Sequence, residues 1–221
     1  MTQSTVTPAD PDHGAVAFFD FDGTLTTGDT LMPFLQFVVG RPRYYLKLIA
    51  ISPVLIGYFA RLIRNDIAKQ WVLKWYLAGY SADELHRLGQ AFNESVLPTM
   101  LRAEGMERLA WHQSQGHECV LVSASLDCYL DAWTRDHGFS AHLVSSLETR
   151  SGRVTGRLAG SNCFGAEKVA RIQQYLTGRK VGRTYAYGDS EGDMPMLMYV
   201  DVGKLYERNC WQLLPKDAGH Q

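Results

Sequence analysis

The chain has little of what marks several large protein classes. Its four cysteines, Cys119, Cys128, Cys163 and Cys210, are too few for a disulfide scaffold in 221 residues. They form no Cys-x-x-Cys pair and no ligand spacing with histidine, which argues against a zinc site. Cys119 stands in an apolar run and reads as a small core residue. A reducing, cytoplasmic setting is expected. Charge of one sign is also lacking: a net charge of −1 offers no basic surface, so no nucleic-acid partner is expected. Any anionic ligand must then be held by a local site. No glycine pattern of the dinucleotide or Walker type follows a strand. With no repeat or low-complexity tract, an apolar fraction of 46% and 20% charged residues describe an ordinary globular chain. Residues 1–14 carry neither the basic region nor the apolar stretch of a secretory signal, and they read as a flexible tail.

What is present begins with apolar runs that stop at polar side chains. Ala15 to Phe19 ends at Asp20, Cys119 to Val122 ends at Ser123, and Thr184 to Tyr187 ends at Gly188-Asp189. Continuous apolar runs of this length fit strands buried on both faces. Helical patterns follow each, so the expected fold is α/β, a doubly wound (Rossmann-like) parallel sheet. Such sheets bind ligands beyond the carboxyl ends of their strands, which puts three polar strand ends at one mouth. Residues 15–29 and 105–221 are expected to form this core, with 30–104 inserted as a helical cap. Ser81 with Glu84 three residues on predicts a helix start. Leu147 to Gly160 predicts a hairpin, and Phe164 to Leu176 an amphipathic helix.

The stretch Tyr44 to Ile63 is unusual. Its uncharged centre, Leu48 to Ala60, falls short of the roughly 20 residues of a spanning helix. A helix pair buried in the cap, broken at Pro53, is the first expectation. A membrane-surface segment is the second, since aromatic and basic residues flank the apolar centre.

Chemistry concentrates at the strand ends. Asp20 and Asp22 lie two residues apart just past a strand, so one carboxylate can attack an electrophile while the other faces the leaving group. Asp20 is the candidate nucleophile toward a phosphate monoester, and Asp22 the acid that protonates the leaving oxygen and later takes a proton from water. Two carboxylates repel a phosphate dianion, so cations must be supplied. Asp189 and Asp193 are hard oxygen ligands that with Asp20 can hold Mg²⁺. Lys168, opening the helix after the hairpin, is a candidate fixed positive charge. The hydroxyl of Ser123 and the amides of the following helix can hold phosphoryl oxygens.

This ordered set, Asp-x-Asp-Gly-Thr, then Ser, then Lys, then Gly-Asp-x-x-x-Asp, closely resembles the haloacid dehalogenase-like superfamily from about Ala15 to Val202. The resemblance implies Asp20 as nucleophile, Asp22 as acid/base and backbone-carbonyl Mg²⁺ ligand, and Ser123 and Lys168 on the phosphoryl group. Asp189 becomes a direct metal ligand, supported by Asp193 directly or through water. A helical cap in this place is similar to the phosphoserine-phosphatase-like branch. Asp29 falls where those enzymes keep an acid for the substrate's amine, and its alternative reading is a helix cap. Ala124 joins Asp29, Ser123 and Lys168 as a substrate-binding position, although Ala124-Ser125 stands where that branch has two glycines. That branch also carries a cap arginine, where Ile67 to Tyr80 offers only Lys69 and Lys74. The implied activity is Mg²⁺-dependent hydrolysis of a small-molecule or lipid-headgroup phosphate monoester. Transfer to an alcohol by the same aspartates is the alternative, and a non-catalytic binding module the third reading. The long apolar cap segment looks more like bacterial relatives that dephosphorylate phosphatidylglycerophosphate. That would give 44–63 a peripheral contact at the inner face of the membrane.

Overall fold

The structure, a computed structural model, describes residues 14–215; apart from Gly14, the expected tail lies outside the described residues. Five strands run parallel: β1 (Val16–Phe19), β2 (Glu118–Leu126), β3 (Ala141–Ser145), β6 (Thr184–Gly188) and β7 (Val202–Glu207). β8 (Cys210–Leu213) adds antiparallel to β7, and the sheet order is β3-β2-β1-β6-β7-β8. β4 (Leu147–Arg150) and β5 (Arg153–Leu158) form the separate hairpin. β1 is therefore central, with Val16 opposite Glu118 on one side and Thr184 on the other.

Alternate residues of β1 enter two different cores. Ala17 and Phe19 pack in a cluster with Leu109 of α5 (Ala103–Ser114) and Trp133 of α6 (Asp127–Asp136). Val16 and Phe18 pack with Ile172 of α7 (Ala166–Leu176) and Met196 of α8 (Met194–Tyr199). A strand covered on both faces has no use for a polar side, which is why its sequence reads as an unbroken apolar run. This is the doubly wound α/β arrangement.

Five α-helices lie between β1 and β2, and the first four, α1 (Leu31–Val39), α2 (Arg41–Phe59), α3 (Asn65–Leu77) and α4 (Ala82–Ser95), precede Met100. The two ends of this segment meet, since the Thr27 amide donates to Met100 O (2.8 Å) and the Arg102 amide to Leu25 O (2.8 Å). Ser81 caps α4 by accepting from the Glu84 amide at 3.3 Å. α4 crosses α6 so closely that a Cβ on Gly89 would lie 2.0 Å from the carbonyl oxygen of Cys128. The hairpin is tied to the inserted helices: the Gly79 amide donates to Val154 O and the Val154 amide to Tyr80 O, both at 2.9 Å.

Two expectations are corrected. Tyr44 to Ile63 is not a buried helix pair: α2 continues through Pro53, and only Tyr44 and Ile51 of it are buried. Proline leaves the carbonyl four residues back without its amide donor, and here the Ser52 hydroxyl donates to Ile49 O at 2.7 Å instead. α2 ends where Arg61 takes a left-handed φ of 59° and the Leu62 amide donates to Gly57 O. The chain then returns alongside α2 as α3, with the Tyr76 hydroxyl donating to Tyr44 O (3.0 Å) and the Lys47 ammonium to Trp75 O (2.6 Å). Among the described residues no helix is long and apolar enough to cross a membrane. The second correction concerns β2, which runs past Ser123 to Leu126 with its pairing to β3 shifted between those residues. The first turn of α6 is thus not adjacent to Ser123. The Ser123 hydroxyl instead accepts from the Ser125 amide at 3.0 Å.

Candidate active site

Asp20 follows β1, its amide still in register with Tyr187 O at 2.9 Å. The chain then turns tightly, with the amides of Leu25 and Thr26 both donating to Phe21 O. Gly23 has φ of 79°, and a Cβ there would lie 2.0 Å from Asp189 Oδ2. Backbone conformation and the approach of a second acid thus both demand glycine. Thr24 reaches between the two acids, its hydroxyl 3.4 Å from Asp20 Oδ2 and 3.3 Å from Asp189 Oδ1. Arg102 braces the turn from outside by donating from Nε to Gly23 O (3.1 Å) and Thr26 O (3.3 Å).

Lys168, in the first turn of α7, is buried and donates from Nζ to Asp20 Oδ1 and, at 2.6 Å, to Asp193 Oδ1. Burial alone would lower its pKa, but the charges of Asp20 and Asp193 outweigh this and raise it. The other oxygen of Asp193 accepts from the Ser190 hydroxyl (2.7 Å) and from the amides of Ser190 (3.1 Å) and Asp189 (3.2 Å). Both oxygens of Asp193 are therefore engaged in shaping the loop after β6 and holding Lys168. Burial, followed by the charge of Asp193, pushes Asp20 well above the usual carboxylate range. The same two causes push Asp189 to about 6. One carboxylate oxygen from each of Asp20, Asp189 and Asp193 lies within 4.8 Å of the others. Three acids against one lysine leave surplus negative charge in a desolvated place. A small divalent cation preferring oxygen donors fits that donor set.

Asp22 is held apart from this cluster. Its Oδ1 accepts from the Thr30 amide (2.7 Å) and hydroxyl (2.6 Å), and its Oδ2 from the Ser125 hydroxyl. Tyr129 stands behind, its hydroxyl 3.0 Å from that of Thr30. Burial and then the charge of Asp29 raise the Asp22 pKa, against the opposing effect of these bonds. Asp29 itself is exposed and accepts from the Met32 amide at 3.0 Å, the helix-cap alternative.

Asp22 and Asp29 line a cavity of about 620 Å³ that also takes in Lys69, Ala124, Ser125 and Asn162. Its remaining walls are largely apolar, with Leu48, Leu55 and Phe59 from α2 and Val72 from α3. Lys69 reaches across from α3, donating from Nζ to Ala124 O and to Asn162 Oδ1 (2.7 Å). Burial lowers its pKa to about 8, with the charges of Asp22 and Asp29 opposing. Lys74, the other cation of that helix, is exposed.

The structure thus gathers Asp20, Lys168, Asp189 and Asp193 in one cluster and Asp22, Asp29 and Ala124 around the adjoining cavity. Ser123 stays buried beside Ser125. Sequence reasoning missed the roles of Thr24, Thr30, Ser125, Arg102 and Lys69. Lys69 had a signal: it precedes Val72, Leu73 and Tyr76 at the three-, four- and seven-residue spacing of a buried helix face, where an unpaired cation is out of place.

A family model for haloacid dehalogenase-like hydrolases matches residues 17–198. Protein CicA of Caulobacter vibrioides is 33% identical over 186 residues, covering 83% of this chain and 82% of its own. A histidinol-phosphatase of Neisseria meningitidis is 28% identical, covering 84% and 86%. Among solved structures, a Bordetella pertussis protein described as of unknown function superposes with a TM-score of 0.74 at 26% identity, covering 86% of this chain and 88% of that one. A phosphoserine phosphatase solved as a phospho-aspartyl intermediate analogue has a TM-score of 0.55 at 15% identity, covering 82% and 81%, a likeness of fold. With the motif residues converging beyond the parallel strands as described and the family model spanning most of the chain, this protein belongs to the haloacid dehalogenase-like hydrolases.

Proposed function

We propose that this phosphatase hydrolyses a phosphomonoester through a phosphoryl group carried on Asp20. The observation that carries the reading is the separation of two acids two residues apart. Asp20 is bonded to Lys168 in the buried cluster, and Asp22 is bonded to Thr30 and Ser125 beside the cavity. Asp20 Oδ2, the oxygen turned from Lys168, attacks phosphorus and the bond to the leaving alcohol breaks. Asp22, whose raised pKa keeps a proton available, gives that proton to the departing oxygen. Water then attacks the acyl phosphate, its proton passes to Asp22, and inorganic phosphate leaves with the Asp20 carboxylate restored. Lys168 offsets charge on the phosphoryl oxygens, with the Ser123 segment as a further contact.

Mg²⁺ fits this site. Asp20, Asp189 and the carbonyl of Asp22 would hold it, with Asp193 acting through the loop it shapes. When bound it would offset the charge of the phosphoryl oxygens. The substrate is a small molecule or a lipid headgroup bearing one phosphate, with Asp29, Ala124 and Lys69 around its non-reacting part.

The test is phosphate release, with and without Mg²⁺, from phosphoserine, histidinol phosphate, sugar phosphates and phosphatidylglycerophosphate in mixed micelles. Turnover of at least one, lost in Asp20→Asn together with acid-trapped radiolabelled phosphate on the protein, is the expected result. Turnover that survives Asp20→Asn would sink the covalent route.

A further inference from the structure

From Tyr45 to Phe59, every exposed residue of α2 is apolar. Leu46, Ile49 and Ile56 are 73%, 72% and 67% exposed, and with Tyr45 and Pro53 they recur at helical spacing as one stripe. α3, antiparallel beside it, shows Ile67, Trp71 and Trp75 at four-residue spacing, the tryptophans 54% and 47% exposed. A helix on a protein surface in water turns its polar side outward. Here the outward side is the apolar one, over a longer stretch than scattered exposed residues explain.

Charge says what covers it. No acidic residue occurs between Asp29 and Asp66, whereas Arg41, Arg43, Lys47, Arg61 and Arg64 all fall there, in a chain of net charge −1. Arg64 pairs with Asp66 and Lys47 is turned to Trp75 O. Arg41 and Arg43 at the start of α2 and Arg61 just past its end are exposed. Cations flanking an apolar stripe complement anionic headgroups above an acyl layer. A second copy of the chain would bring the same positive charge against it.

The inner sides of these two helices wall the active-site cavity: Leu48, Leu55 and Tyr58 from α2, Ala68 and Val72 from α3. Phe59 belongs to both surfaces, lining the cavity while 79% exposed. An apolar path thus leads from the outer stripe to Asp22 and Lys69.

We propose that α2 and α3 form a docking face for an anionic lipid bilayer, from which the cavity takes an amphiphilic phosphomonoester. Its apolar part lies against Leu48, Leu55 and Phe59, and its phosphate reaches Asp20. The substrate half rests on the proposed phosphatase chemistry; the docking half does not.

The experiment is co-sedimentation of the full chain with vesicles of phosphatidylcholine alone and of phosphatidylcholine with an equal part of phosphatidylglycerol. The protein should sediment with the mixed vesicles only, and less as salt is raised. The triple variant Leu46→Ser/Ile49→Ser/Trp71→Ser, whose positions lie outside the cavity, should lose binding by on the order of a hundredfold or more. It should still hydrolyse p-nitrophenyl phosphate at the parent rate. Asp20→Asn should bind vesicles normally. Dodecyl phosphate carried in mixed vesicles should turn over faster than ethyl phosphate in solution, and the triple variant should erase that gain. No sedimentation with mixed vesicles at low salt would overturn the docking face. So would undiminished binding by the triple variant, or a concentration-dependent dimer that the variant abolishes. Equal rates on the two alkyl phosphates would overturn the amphiphile assignment. Vesicle binding with no turnover of any monoester would uphold docking and overturn the phosphatase chemistry.

Discussion

Lys168 neutralises two buried acids with one ammonium group, so the site's chemistry and its stability meet in a single side chain. Lys168→Met leaves Asp20 and Asp193 buried without their counter-charge. Removing one partner of a buried ion pair typically costs about 3–5 kcal/mol, so urea unfolding should show a loss of that size along with lost turnover. Asp20→Asn keeps the pair with Asp193 and should cost clearly less. The acid cluster also sets a pH dependence. Asp189 is raised from an ordinary 3.8 to about 6, so its protonated form is favoured by folding. That contribution is fully present below 3.8 and is lost as pH rises through about 6. Asp20, raised by burial and by Asp193, acts in the same direction. In chelator, the melting temperature should therefore fall as pH rises across this window, and Mg²⁺ should restore it most above pH 6. A profile that is flat in chelator, or unmoved by Mg²⁺, would remove this site as the metal's place. Most of the acids and Lys168 are legible in the sequence because each stands at the end of an apolar run or in the first turn of a helix. Ser125 is not, and Lys69 shows only as a cation on a buried helix face, because their partners Asp22, Ala124 and Asn162 are remote in the chain and only folding brings them near.

At the scale of elements, close crossings decide what the sequence can tolerate. α4 rests on the start of α6 through Gly89, where even a methyl group would meet the Cys128 carbonyl at 2.0 Å. Gly89→Ala gains helix propensity worth up to about 1 kcal/mol yet must separate the helices, and overpacking of this kind typically costs about 1–3 kcal/mol. The net result should be destabilisation in denaturant titrations; a more stable variant would show that α4 shifts freely. Elements buried on both sides, such as β1 and β6, announce themselves in the sequence by unbroken apolar runs. β3, with its half-buried start, and β7 and β8 near the sheet edge do not, since partial exposure admits mixed residues. The continuity of α2 is hidden for another reason. Pro53 signals a break, and the Ser52 hydroxyl that takes up the freed carbonyl reads in sequence as an ordinary polar residue.

For the whole molecule, the order β3-β2-β1-β6-β7-β8 makes the strand that leads into Asp20 the centre of the sheet. The same order governs how the protein is made. Of the described strands β1 is synthesised first, an apolar strand with two bare edges. One edge waits for β2 to be synthesised after the whole helical insertion, and the other waits for β6 near the far end of the chain. Contacts so distant in sequence form slowly, and unpaired strand edges invite association in the meantime. A chain truncated just before Thr184 should be insoluble or protease-sensitive, even though it retains Asp20, Asp22 and Lys168, whereas addition of the segment through Leu213 should yield a resistant fold. Nascent chains of intermediate length are therefore the form of this protein most in need of a chaperone.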